Sequence, residues 1–542
     1  MKRPIIATAA LALTLAAGPA ITSYAASFLD KQANSPQVAG DPTSDTTARF
    51  PTNKQNEPTI AVDPTNPSKL IAGSNDEQLQ PPCGPGPVRG ATAPANDCSF
   101  FPNVGTSGVY TSSDSGTSWT NRGLLPGYTD ASPGGTLVSD GDPVIVFGPK
   151  PDGSGGFSFA SGARAYYANL ASFASGAANG NQAPELIAVS RSDDDGLSWM
   201  DPVLAATGNG FKFNDKEDIW ADKNPDSPFF GRVYVSWTQF RGSVFTFFGE
   251  PVMVTFSGDG GATWAKPNQI SAAHNNASVG GRQGTAIRTG PEGTVFMLWE
   301  DGDVNGSKMV VATSHDGGVK WTRPTTIASV RDIADPIPGA NFRTDSFLTA
   351  AVDQTSGAIF AAWADASGGA GHIVVTKSTD RAATWSTPQT VSAAANGYAF
   401  FQGLDVAPNG RVDLGYQALK ATSTTTYRMG NAKIDSYYLS SLDGGATWSV
   451  PMKVSSASSD PAASAQNNLR RQFWGDYNTL VSTNAFAFFI YTDSRTGAGC
   501  AAVDAFQHGV DGSGAPTAKP APENVCPAQF GNTDIHVTRV MP

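Results

Sequence analysis

Apolar residues in this chain come in short runs separated by turn-forming residues, and almost never at the spacing of a helix face. Four of these runs are Glu185-Leu-Ile-Ala-Val189, Pro251-Val-Met-Val-Thr255, Lys308-Met-Val-Val-Ala312 and His372-Ile-Val-Val-Thr376. Each leads into a segment of one form: Ser, any residue, Asp, any residue, Gly, two residues, Trp. The form occurs six times, at Ser112–Trp119, Ser192–Trp199, Ser257–Trp264, Ser314–Trp321, Ser378–Trp385 and Ser441–Trp448. The fifth copy has Ala382 in place of the glycine, and successive copies start 80, 65, 57, 64 and 63 residues apart. The carboxylate can accept backbone N–H bonds within a tight turn, the glycine can take a positive φ, and the indole can pack beneath the turn. Each segment therefore predicts a turn between two antiparallel strands.

Two further apolar runs precede each segment. They are Pro58–Val62 with Lys69–Ala72, Pro143–Phe147 with Gly156–Phe159, and Asp218–Ala221 with Arg232–Trp237. Thr285–Ile287 with Thr294–Trp299, Ser346–Ala350 with Ala358–Trp363, and Gly403–Val406 with Val412–Tyr416 follow. A seventh unit lacks the segment and is one strand short: Tyr477–Val481, Ala485–Tyr491 and Asp534–Val540. A strand from 35–50 could complete it and close a ring, which removes exposed sheet edges. The expectation is an all-β propeller of four-stranded antiparallel blades, seven in number, with six as the alternative. The stretch Ala165 to Ala178 reads as a loop insertion.

Lys2 and Arg3, an apolar run from Ile5 to Ala17 and the small residues around Ser23–Ala26 have the layout of a cleavable secretory signal. Residues 1–26 are set apart on that ground, 27–50 form an N-terminal segment that could complete the last blade, and 51–542 form the propeller. The run is too short for a permanent span, so a secreted, extracellular protein without a membrane anchor is expected. The rest of the chain is too long for one ordinary core unless it is built of repeats. With 58 Gly, 38 Pro and only 15% charged residues, it is turn-rich and poor in helix surface. The net charge is −11, and no basic stripe suggests nucleic acid. The four cysteines favour Cys83–Cys98 and Cys500–Cys526, because short loops close most easily in an oxidising compartment. No cofactor is expected. Structural calcium is compatible with the acidic loops, without a specific ligand pattern. A monomer is expected.

The repeated segment resembles the Asp-box, or bacterial neuraminidase repeat (BNR), of the sialidase-like superfamily. The resemblance covers nearly all of the mature chain and implies the propeller architecture. It also implies that the box aspartates, Asp114, Asp194, Asp259, Asp316, Asp380 and Asp443, are structural, because the family's boxes lie away from its active site.

In a propeller the first strand of each blade lines the central channel. The leading positions of those strands here are polar: Glu57, Asp140, Asp142, Glu217, Asp218, Arg282, Gln283, Arg343, Asp345, Gln402, Arg471, Asp476 and Tyr477. Carboxylate pairs suit glycoside chemistry, and arginines suit a substrate carboxylate. Trp474, in the segment Phe473-Trp-Gly-Asp-Tyr477, is the expected sugar contact. Trp220, Trp237, Trp299 and Trp363 read as packing residues. The family resemblance implies Tyr477 as nucleophile with Glu217 as its partner, Asp142 as acid, and Arg282, Arg343 and Arg471 as the arginine set. Where the family opens its first blade with an Arg-Ile-Pro motif, this chain has Asn56-Glu57-Pro58-Thr59, and the nearest alternative is Arg49-Phe50-Pro51. Such a pocket favours a sialidase-like glycoside hydrolase acting on an extracellular glycan. A non-catalytic glycan- or protein-binding propeller and a polysaccharide lyase remain as alternatives. The histidines lie mostly away from the leading positions, which disfavours a His-based lyase.

Overall fold

The computed structural model describes residues 27–36, 47–83, 87–88, 91–92, 98, 104–128, 136–174, 185–209, 211–243, 246–274, 281–302, 306–422, 427 and 429–542. They form seven antiparallel blades around a central channel. The inner strands, in blade order, are Gln55–Val62, Leu137–Pro151, Lys212–Ala221, Arg282–Thr289, Thr349–Val352, Tyr398–Val406 and Thr479–Ser482. Each touches the inner strands of both neighbouring blades, and the seventh touches the first, so the ring is closed. Blade 3 also carries a short extra strand, Thr246–Gly249, paired to its second strand.

All six repeated segments fold into the same turn between the third and fourth strands of blades 1 to 6. In the first, Ser112 Oγ donates to Asp114 Oδ1 at 2.9 Å and accepts from Gly116 N at 2.9 Å. The same carboxylate accepts from Ser118 N at 2.9 Å and from Ser118 Oγ at 2.6 Å. The other five repeat the Ser-to-Asp bond and the backbone bond closing on the carboxylate. Two consecutive residues after the aspartate have positive φ in every copy, from Ser115 and Gly116 at 57° and 72° to Gly444 and Gly445 at 64° and 79°. The fifth copy forces Arg381 and Ala382 into this region at 59° and 66°.

The tryptophan of each repeated segment then packs between its own blade and the preceding one. Trp119 lies against the layer of Ile60, Leu70 and Phe488 between blades 7 and 1, and Trp448 against Phe360, Val412 and Leu439 between blades 5 and 6. Burying these layers on both faces of each blade is the main stabilising term for a ring whose blades could not stand alone.

Blade 7 lacks the repeated segment because its third and fourth strands are the two ends of the described chain. Ser27–Gln32 pairs with Asp534–Met541, in register from Ser27↔Met541 to Gln32↔His536. The closing strand therefore lies ahead of the 35–50 window expected for it. A second correction concerns Ala165–Phe173, which is strand rather than insertion. It extends the second strand of blade 2 (Phe157–Phe173) and pairs with Leu186–Ser192. Tyr166 faces the layer shared with blade 3 and Tyr167 the layer shared with blade 1, so a strand buried on both sides shows no simple alternation.

Both expected disulfides are present, Cys83–Cys98 and Cys500–Cys526. They share a small apolar cluster with Phe50, Leu469, Val503 and Phe530. The helix Ala501–Asp511, in the long connection of blade 7, belongs to it. Among the described residues, no helix is long and apolar enough to cross a membrane.

Candidate active site at the channel mouth

Five of the seven inner strands share an irregularity that the sequence pattern does not display. Their pairing with the second strand skips residues between Asn56 and Thr59, Gly141 and Val144, Asp215 and Asp218, Gln283 and Ala286, and Phe400 and Gly403. In each skip the first residue has positive φ: Glu57 at 53°, Asp142 at 52°, Lys216 at 57°, Gly284 at 62° and Phe401 at 47°. A bulge re-aims side chains and changes the parity of the pleat. Four of these residues are not glycine, and strain of this kind persists only where surrounding contacts impose it.

Three of the bulges and the Gly475–Tyr477 segment of blade 7 bring one charged cluster together. Asp476 is its centre. Arg343 donates to it through Nε at 2.5 Å and a terminal nitrogen at 2.6 Å, and Lys216 Nζ pairs with the same carboxylate. Lys216 Nζ also lies 3.8 Å from Asp142 Oδ2. Arg343 lies 3.7 Å from Glu57 Oε1. Asn75 joins the bulges of blades 1 and 2: its Nδ2 donates to Glu57 Oε2 at 2.6 Å, and its Oδ1 accepts from Asp142 N at 2.7 Å. A Cβ on Gly475 would sit 2.8 Å from Glu57 Cγ, so only glycine lets the blade 7 segment approach blade 1 this closely.

The cluster separates its carboxyl groups in proton affinity. Burial, then the nearby Glu57, pushes Asp142 well above the usual carboxylate range against the opposing pull of Lys216. Asp476 is also buried, yet Lys216 and Arg343 hold it down at about 2. Burial and the surrounding carboxylates Asp142, Glu57, Glu217 and Asp476 push the Tyr477 phenol well above its ordinary value, so it stays protonated. Beside this cluster, burial raises Glu217 and Glu185, and holds Asp215 at about 6. Burial and its carboxylate neighbour Asp332 hold Asp345 at about 6, despite a bond from Ser346 N at 2.7 Å. The mouth is thus rich in carboxyl groups, and its cations are already engaged.

Of the residues singled out from sequence, Glu57, Asp142, Arg343, Asp476 and Tyr477 converge, with Glu217 on the channel wall beside them. Others do not. Arg282 turns away, pairing with Asp301 at 3.2 Å and donating to the His274 carbonyl at 3.2 Å. Arg471 pairs with Asp335 at 2.6 Å at the surface. Asp218 is a clamp between blades 3 and 4, accepting from Arg288 at 2.6 Å and from Ile287 N at 2.8 Å. Trp474 is 0% exposed, donates Nε1 to Gln417 at 2.8 Å and packs on Phe342, so it supports the cluster from behind and cannot stack on a sugar. Trp237, Trp299 and Trp363 are fully buried as expected, whereas Trp220 is half-buried and lines the channel. Lys216 and Asn75 were missed. The only sequence signal for Lys216 was its place between Asp215 and Glu217, and Asn75 sits on a second strand, where no channel residue was expected.

Beneath the cluster the channel opens into a cavity of about 710 Å³. Among the described residues no group of three His, Cys, Asp or Glu side chains is placed to hold a metal ion.

No family model matches the chain, and no curated protein matches it. Solved structures of similar fold include a Hadza microbial sialidase, at 18% identity and a TM-score of 0.37 over 61% of this chain and 60% of that one. A leech intramolecular trans-sialidase aligns at 13% identity and 0.40, over 71% and 67%. A Penicillium chrysogenum α-L-arabinanase aligns at 11% identity and 0.42, over 94% and 98%.

Proposed function

We propose that this protein is a glycoside hydrolase that cleaves a neutral glycan at the channel mouth. The reading is carried by the opposite perturbation of Asp142 and Asp476 around one ammonium group, Lys216. Two carboxyl groups with separated proton affinities divide the work of glycoside cleavage. Asp142, the carboxyl group whose hold on its proton is strengthened, serves as the general acid on the leaving oxygen. Asp476 stays ionised and faces the positive charge that develops on the sugar ring. Tyr477, held protonated, orients substrate by donating a hydrogen bond.

The neutral substrate follows from the charge balance. A sialic acid or uronate carboxylate needs a free guanidinium or ammonium, and Arg282, Arg343, Arg471 and Lys216 are all paired to carboxylates. The same pairing disfavours lyase chemistry, which requires neutralisation of the uronate. Saturation of Asp476 by two cations favours one other reading, a glycan-binding propeller without catalysis.

A panel of nitrophenyl glycosides, sialosides and plant and bacterial polysaccharides tests the proposal with the wild type and with Asp142→Asn and Asp476→Asn. Hydrolysis of a neutral polysaccharide that both variants lose is the expected result. Glycan binding without turnover supports the non-catalytic reading, and full activity of Asp142→Asn on a polysaccharide overturns the assigned acid.

A further inference from the structure

The lower half of the channel is a different environment from its mouth. Val62 of blade 1, Val144 of blade 2, Val406 of blade 6 and Val481 of blade 7 line it with Trp220 of blade 3. Just past the inner strand of blade 3, Lys223 also lines the cavity. Its ammonium stands 4.2 Å from the centre of the Trp220 ring, and Arg288 stacks on the same ring at 4.6 Å. The two cations are not equivalent. Arg288 is neutralised by Asp218 at 2.6 Å. Among the described residues, Lys223 has no carboxylate at ion-pairing distance and no hydrogen bond. The cavity reaches the face of the propeller where Pro64, Pro67 and Pro408 are exposed, so it can be reached without passing the charged mouth.

A cation whose nearby carboxylate, Asp405, stands beyond ion-pairing distance in a mostly apolar pocket is an incomplete ion pair. The pocket's volume suits a small ligand. We infer that the lower channel binds a small amphipathic carboxylate, with its anionic head on Lys223 and its apolar body against Trp220 and the valine collar. This site is independent of the chemistry proposed at the mouth.

The charged groups around Lys223 set its pH dependence. Burial brings Lys223 down to about 8, opposed by Asp405 and aided by Arg288. Asp405, anchored by Ser482 N at 2.8 Å, is raised to about 6 by burial against the opposing effect of Lys223. Asp63, at the end of the blade 1 inner strand, is committed to Thr65 through its N–H and hydroxyl, at 2.7 and 2.8 Å. As pH falls through about 6, Asp405 gains a proton and Lys223 loses its nearby counter-charge, so carboxylate affinity rises. As pH rises through about 8, Lys223 loses its charge and affinity falls.

Titration calorimetry with octanoate, octanol and octylamine tests the assignment on the full protein, with folding of each variant checked by circular dichroism. Octanoate should bind one-to-one at pH 6 at least tenfold more tightly than octanol. It should weaken at least tenfold in Lys223→Met, while octanol stays unchanged, and at least tenfold in the wild type at pH 9. Tighter binding of octylamine, absence of saturable octanoate binding to the wild type, or octanoate affinity unchanged between pH 6 and 9 would each overturn it.

Discussion

His536 Nδ1 lies 2.8 Å from the carboxylate of Asp30, joining the third strand of blade 7 to the strand that closes the ring from the other end of the chain. Arg495 holds the same carboxylate at 2.7 Å, and Ser456 donates to it at 2.8 Å. These bonds, with His536 and Arg495 foremost, overcome burial and hold Asp30 below the usual carboxylate range. A depressed folded-state pKa gives stability that is present above the unfolded value, near 4, and is lost as pH falls below it. Asp30→Asn should therefore lower stability by about 2–4 kcal/mol at neutral pH. Denaturant melts of the variant and the wild type should differ at pH 7 and converge toward pH 2.

The six turns predict a graded response to substitution. Gly318 has φ of 90°, and a Cβ there would meet Tyr234 at 3.1 Å. Gly318→Ala should cost about 1–2 kcal/mol through positive-φ strain and crowding. Arg381 at 59° carries the same strain without crowding, and its pair with Glu292 is exposed. Arg381→Gly should leave stability within about 1 kcal/mol of the wild type, as strain relief offsets chain entropy and the weak surface pair. Differential scanning calorimetry separates the two outcomes.

Trp474 gives a test of support against contact. Trp474→Phe removes the Nε1–H bond to Gln417, whose Oε1 still accepts from Asn478 at 3.1 Å. A loss of about 1–2 kcal/mol in stability is expected, with KM for any glycan unchanged. A raised KM without a change in melting temperature would return Trp474 to the substrate.

At the mouth, Asp142 titrates upward and Asp476 downward, so hydrolysis should persist into acid and fall as pH rises through the pKa of Asp142. Asp142→Asn should reduce kcat by roughly 100-fold or more on poor leaving groups and much less on nitrophenolate. Lys216 lowers the proton affinity of Asp142. Lys216→Met should therefore move the alkaline limb of the pH–rate profile to higher pH. A limb that moves lower, or does not move, contradicts the acid role.

The architecture was legible in the chain because it is written locally. Ser, Asp, Gly and Trp within eight residues specify one turn and one packing direction, and their spacing sets the blade phase. Short loops likewise made both disulfides readable. The seventh blade followed from the same phase, although its closing strand, Ser27–Gln32, did not, since it pairs with residues some 500 positions away and has no turn of its own.

The site was only half legible for a related reason. Polar leading positions marked Glu57, Asp142, Arg343, Asp476 and Tyr477, but which of the marked groups meet depends on the bulges. One extra residue in a strand exchanges the two faces of the pleat. That exchange turns Lys216 toward Asp142 and Asp476, while Asn75 reaches the cluster from a second strand and Arg282, buried against Asp301, does not reach it. The burial of Trp474 and the unpaired state of Lys223 depend in the same way on side chains from distant blades. The sequence by itself determined the blades and their order. The tertiary structure decided which charges meet, because pairing across a closed ring depends on strand parity and on neighbours that local pattern does not encode.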